Sequence, residues 1–153
     1  ARARCALLPA KTQLVSNLDV YSNVALPMRY HHGADEATIR MSVMGILERL
    51  GLERYASYRP VHLTADQHRF VGLARAACSK PDLFILEDPY EGLNDTQAER
   101  AAEIFRELLD KGTGLLVALT QSYSERLATL PNCRVQTLEL VSTGSQPLTG
   151  GSI

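Results

Sequence analysis

Leu83, Phe84, Ile85 and Leu86 follow one another without a polar break, and Glu87-Asp88-Pro89 closes the run. A strand wetted on one face alternates apolar and polar residues. An unbroken run therefore predicts a strand covered on both faces, as in a parallel sheet. Leu115 to Leu119 predicts a second buried strand. Between them, Asp95 to Lys111 reads as a helix with Ala101, Ile104, Phe105, Leu108 and Leu109 turned inward and Gly112 at its end. Strand, helix, strand with a right-handed crossover is the expected arrangement, and it makes this part an α/β layer. Further on, Ser122-x-x-Glu125 predicts the cap of another helix and Val135 to Val141 a last strand. Residues 142–153, rich in Gly, Ser and Thr, read as a flexible tail.

The stretch ahead of the run reads as helical. Ile39, Val43, Ile46, Leu47 and Leu50 fall on one face of a helix from Asp35 to Leu50, which Gly51 ends. Thr64-x-x-Gln67 has the form of a capping box, with Phe70, Val71, Ala74, Ala77 and Cys78 at helical spacing behind it. Residues 28–80 thus read as a helical subdomain attached to an α/β core at 81–141. A chain of 153 residues suits one domain with a real core. Its net charge of -1, with cations scattered along the chain, argues against a partner held through a basic surface, nucleic acid above all. No apolar stretch approaches the ~18 residues that span a bilayer, and nothing at the start reads as a signal peptide. Cys5, Cys78 and Cys133 are odd in number and far apart, which suits neither a disulfide framework nor a zinc site. The expectation is a reduced, cytoplasmic domain. The chain opens on Ala1 rather than Met, which leaves room for an absent N-terminal portion.

Ligands of parallel sheets gather beyond the C-terminal ends of the strands, a rule that selects Glu87, Asp88 and Gln121. Adjacent carboxylates at a strand end can hold Mg²⁺ and activate water, or can simply begin a solvated turn. A phosphate-binding loop needs Gly-Lys-Ser/Thr, yet Lys11, Lys80 and Lys111 follow Ala, Ser and Asp. Gly-x-Gly-x-x-Gly and Gly-x-Ser-x-Gly do not occur either. His31-His32 near Asp35 and Glu36 could ligate a metal, but adjacent histidines before Gly33 are more often a polar loop. His62 and His68 add nothing to that spacing.

The order of motifs carries a resemblance. LTADQ at Leu63–Gln67, followed by HRFVGLARA, resembles the LSGGQ signature and helix of ABC transporter ATP-binding subunits. PDLFILEDPYEGLND is similar to that family's Walker B and D-loop segment, and LLVALTQS occupies the place of its switch strand. NLDVYSNVALPM is similar to the segment after the Q-loop, so residues 1–27 resemble the Q-loop region. NVALPMR and RPVHLT look closest to the branch that powers MCE-linked lipid transport. The resemblance runs from about residue 6 to residue 140. It implies a P-loop NTPase-like parallel-sheet core, truncated at its N-terminus, with a helical subdomain. It also implies ATP and Mg²⁺ as cofactors, with a membrane permease and a second ATP-binding subunit as partners. Any membrane association would be peripheral, at the inner face and through a partner.

Against that family pattern, the Q-loop position is Ala10, and Thr64, Ala65 and Asp66 replace Ser-Gly-Gly ahead of the retained Gln67. Walker B Asp and the catalytic Glu are exchanged to Glu87 and Asp88, the D-loop Asp is Asn94 and the switch His is Gln121. The signature helix N-terminus faces a γ-phosphate in the family, and Asp66 would set a carboxylate against its helix-end charge of roughly +0.5. At about 4 Å from a phosphate and an effective ε near 20, the repulsion is several kcal/mol. The milder reading of Asp66 is a favourable helix cap. Asp88 shortens the reach to water by ~1.5 Å relative to Glu, and Gln121 cannot carry a proton as His does. The expectation is a degenerate, catalytically inactive subunit that acts through contact and needs no cofactor of its own. One alternative is a piece of a working ATPase whose P-loop lies in a missing segment or a partner, with Glu87 on Mg²⁺ and Asp88 and Gln121 catalytic. A stand-alone scaffold is the other. Losing a first strand and helix would bare an edge and an apolar face, which predicts self-association.

Overall fold

The computed structural model describes residues 4–31 and 33–119. The elements run β1 (Cys5–Leu8), α1 (Val20–His31), α2 (Glu36–Arg49), α3 (Ala65–Cys78), β2 (Leu83–Glu87), α4 (Asp95–Asp110) and β3 (Gly114–Ala118). Short 3₁₀ turns sit at Glu53–Tyr55 and Pro60–His62. Among the described residues the sheet has the order β1-β2-β3, with both pairings parallel. The expected helix from Ser122, the strand at Val135–Val141, the tail and Gln121 lie outside the described residues.

The apolar run forms β2 and α4 returns the chain to β3, so the expected strand–helix–strand unit is present. β1 is an addition that periodicity did not indicate. Its four residues acquire strand identity by pairing with β2, Ala6 opposite Phe84 and Leu8 opposite Leu86. The expected junction between residues 27 and 28 falls inside α1.

One cluster of buried apolar residues joins the helices to the sheet. Val20, Val24 and Met28 turn one face of α1 inward, as Ile39, Val43 and Leu47 do for α2. Phe84 and Leu86 of β2 are fully buried, and Phe105 of α4 stands edge-on to Phe84 at 6.3 Å between ring centroids. Each such side chain contributes roughly 1.5–3 kcal/mol.

The expectation of a strand buried on both faces needs correction at β3. Leu7, Ile85 and Leu116 lie side by side across the sheet. Leu7 is 55% and Leu116 52% exposed. Helices α3 and α4 pack on the opposite face, where Leu8, Phe84 and Leu86 point. No helix among the described residues is long and apolar enough to cross a membrane.

Candidate functional site

β2 delivers Glu87 and Asp88 to the C-terminal edge of the sheet, where the chain turns sharply. Asp88 sits in the left-handed region at φ 41, a conformation that costs a non-glycine residue free energy. Its N–H donates to the carbonyl of Ala118 on β3 at 2.9 Å. The Glu87 carboxylate is part-exposed and ties two chain segments together. Its Oε2 accepts from the Ala10 N–H at 3.1 Å, holding the segment that leaves β1.

Arg69 of α3 closes this corner. Its Nη1 donates to the Ala10 carbonyl at 3.0 Å, and its Nη2 to the Glu87 carbonyl at 2.7 Å and to the Asp88 carbonyl. Arg69 is 7% and Asp88 4% exposed. Burial pulls the guanidinium pKa down, while the Glu91 and Asp88 carboxylates pull it up. Arginine stays charged throughout, and carbonyl oxygens replace part of its lost hydration.

The helix N-termini form a second cluster. Thr64 and Gln67 form the expected capping box, Gln67 Oε1 accepting from the Thr64 N–H at 3.0 Å, while the Thr64 hydroxyl donates to Asp66. Asn94 caps α4 by accepting from the Gln97 N–H at 2.9 Å, and Gln97 Oε1 returns the bond to the Asn94 N–H. The Gln97 amide then donates to Asp66, linking the starts of α3 and α4. Burial raises the Asp66 pKa, but the hydrogen bonds from Thr64 and Gln97 outweigh it and hold the carboxyl below its ordinary value. Thr64, Asp66, Gln67 and Asn94 are therefore brought together, with Ala65 the first residue of α3.

A cavity of about 480 Å³ lies beside these clusters, with Lys11, Arg69, Asp66 and Glu91 among its lining. Two cations face two carboxylates there, so charge does not favour an anion. Among the described residues no group of three or more His, Cys, Asp or Glu could hold a metal ion. One oxygen of Glu87 accepts from Ala10, and the 153 residues contain no Gly-Lys-Ser/Thr loop. The Gly-Lys-Ser/Thr cradle that grips the phosphates of a nucleoside triphosphate is thus not among these residues. His32 lies outside the described residues.

No family model matches the chain. It is 32% identical over 105 residues to the cell division ATP-binding protein FtsE of Escherichia coli (strain K12), covering 69% of this chain and 47% of that one. It is 30% identical over 115 residues to the lipoprotein-releasing system ATP-binding protein LolD of Novosphingobium aromaticivorans, covering 75% and 50%. The intermembrane phospholipid transport system ATP-binding protein MlaF of Haemophilus influenzae is 34% identical over 91 residues, covering 60% and 34%. The chain belongs to the ABC ATP-binding protein family.

Solved ABC structures agree in fold. An ATP-binding subunit of an ABC transporter superposes with a TM-score of 0.71 at 24% identity, over 80% of this chain and 50% of that one. A dimeric ATP-binding cassette in a post-hydrolysis state, bound to ADP and Pi, gives 0.69 at 22% identity, over 80% and 54%. The chain spans about half the length of the ABC proteins FtsE and LolD that it matches.

Three residues of this ABC chain escaped the sequence reading. Arg69 shares a buried helical face with Leu73 and Ala76, a spacing that marks it as inward-facing. Gln97 carried a signal too, since Asn94-x-x-Gln97 has the capping-box form. Asn23 carried none. It is fully buried, and its amide donates to the carbonyls of Val15, Leu18 and Asp19 while Oδ1 accepts from the Val15 N–H at 2.8 Å. It shapes the loop between β1 and α1.

Proposed function

We propose that this chain is part of an ABC transporter ATP-binding subunit that acts through contact and coupling, not through ATP hydrolysis of its own. The observation that carries the reading is the internal use of the groups the family would turn on nucleotide. Asp66 occupies the start of α3 with Thr64 and Gln97 as its donors, and Glu87 holds the Ala10 N–H. A phosphate approaching α3 would meet a carboxylate already in place. Calorimetry of the 153-residue chain with ATP·Mg²⁺ is expected to show no measurable binding, and micromolar affinity would reject the proposal.

The partners are a membrane permease, a second ATP-binding subunit, or both, with the chain peripheral on the cytoplasmic face. The names of LolD and MlaF specify lipoprotein release and intermembrane phospholipid transport for those proteins. Lipid-linked transport is accordingly the proposed setting, and co-purification of a permease is its check. The exposure of Leu7 and Leu116 on one face of the described sheet supports self-association, which a monodisperse monomer in light scattering would exclude.

A second reading has an observation of its own: the chain spans only about half of FtsE or LolD. This half would then belong to a working ATPase whose P-loop is supplied elsewhere, with Glu87 on Mg²⁺, Asp88 on water and Gln121 at the switch position. A Gly-Lys-Ser/Thr loop upstream of Ala1 in the reading frame, with turnover lost on Asp88→Asn, would favour it.

A further inference from the structure

We infer that Arg69 is a positioning residue that holds α3, the segment after β1 and the end of β2 as one joint, and keeps the Asp88 backbone in its left-handed conformation. Its acceptors, the carbonyls of Ala10, Glu87 and Asp88, belong to two chain segments far apart in sequence. All of them are backbone, so the guanidinium fixes the path of the chain and ignores which side chains stand there. The planar fork of Arg can bridge divergent acceptors, whereas the compact ammonium of Lys cannot reach them all.

Strain makes the positioning specific. Asp88 has φ 41, and the backbone on either side of the strained bond is tied down: Arg69 holds the Glu87 and Asp88 carbonyls, and the Asp88 N–H bonds Ala118 of β3. The following turn depends on the same carbonyl, since the Glu91 N–H also donates to it at 3.0 Å. On the other side, Ala10 is gripped through its carbonyl by Arg69 and through its N–H by Glu87. Any displacement of α3, which carries Thr64–Gln67 at its start, is thereby passed to the strand end. The joint does not depend on whether nucleotide binds, so it and the proposed function can fail separately.

Amide hydrogen exchange on the 153-residue chain tests it with Arg69→Met, Arg69→Lys, Asp88→Gly and the double variant Arg69→Met/Asp88→Gly. Arg69→Met is expected to speed exchange at Ala10 and Glu91 by about tenfold or more, the scale of one lost hydrogen bond to a charged group, while Ile104 to Leu108 of α4 stay protected. Arg69→Lys is expected to fall between Arg69→Met and the parent. In the double variant, Asp88→Gly lets the backbone adopt positive φ without help, so protection returns at Glu91 but not at Ala10. That split is what a mere volume-filling Arg would not produce. Unchanged exchange at Ala10 and Glu91, uniform loss of protection along the chain, or failure of Asp88→Gly to restore protection at Glu91 would each overturn the inference. Should Arg69→Met not fold, Arg69→Lys is read alone: selective acceleration at Ala10 and Glu91 supports the joint, and its absence overturns it.

Discussion

On the face of the sheet that meets α3 and α4, Phe84 and Leu86 are fully buried. On the other face Leu7 and Leu116, flanking Ile85 in register, are 55% and 52% exposed. The residue types on the two faces are alike. What differs is the cover, and the cover depends on how closely two helices reach the strands and on what joins them. Gly72 lets α3 approach the chain after β1, and the Asp66–Gln97 bond joins the starts of α3 and α4.

The contrast is broken most severely from the covered side. Phe84→Ala removes a ring packed against Phe105 and is expected to cost about 3–5 kcal/mol in urea denaturation of the chain. Gly72→Ala would place a Cβ 2.3 Å from Cγ2 of Thr12 and 3.2 Å from Cδ1 of Leu8, lifting α3 off the sheet edge. We expect a loss of about 1–3 kcal/mol. Adding Thr12→Ser, which deletes the offending methyl, should recover part of it. A variant pair without such recovery would show that Thr12 is not what sets the approach.

Asn94→Ala removes the side-chain cap of α4 and should cost about 1 kcal/mol. The Asp66 carboxyl titrates below its ordinary value, so its contribution to stability is complete above the unfolded-state pKa of about 3.9 and fades as pH falls through the lower folded value. The stability difference between the parent chain and Asp66→Asn should accordingly shrink toward zero on acidification from neutral pH. A constant difference would mean that Asp66 does not act through its charge. The smallest effect belongs to the open face: Leu116→Ser should change stability by less than about 0.5 kcal/mol. A cost comparable to that of Phe84→Ala would show that this face is covered after all.

Legibility differed between the local and the distant. The helix from Asp35, the capped start at Thr64, the apolar strand at Leu83 and the helix from Asp95 all stand where the pattern puts them, because caps and periodicity act within a turn or two. Of the residues that the motif resemblance singled out, Thr64, Asp66, Gln67 and Asn94 lie at one place, and Ala10, Glu87 and Asp88 at another. Arg69 was not legible as a site residue. It binds backbone carbonyls, and a carbonyl leaves no mark in the order of side chains.

The order of residues thus determined α2, α3, β2 and α4, the caps of those helices and the family, since these rest on contacts between near neighbours or on motif order. Only the tertiary structure decided that β1 is a strand, that Leu7 and Leu116 on one face of the described sheet are half exposed, and that Glu87 turns to Ala10 while Asp66 turns to Gln97. Those outcomes depend on segments separated by tens of residues meeting in space, where pairing and packing settle what a local pattern leaves undecided.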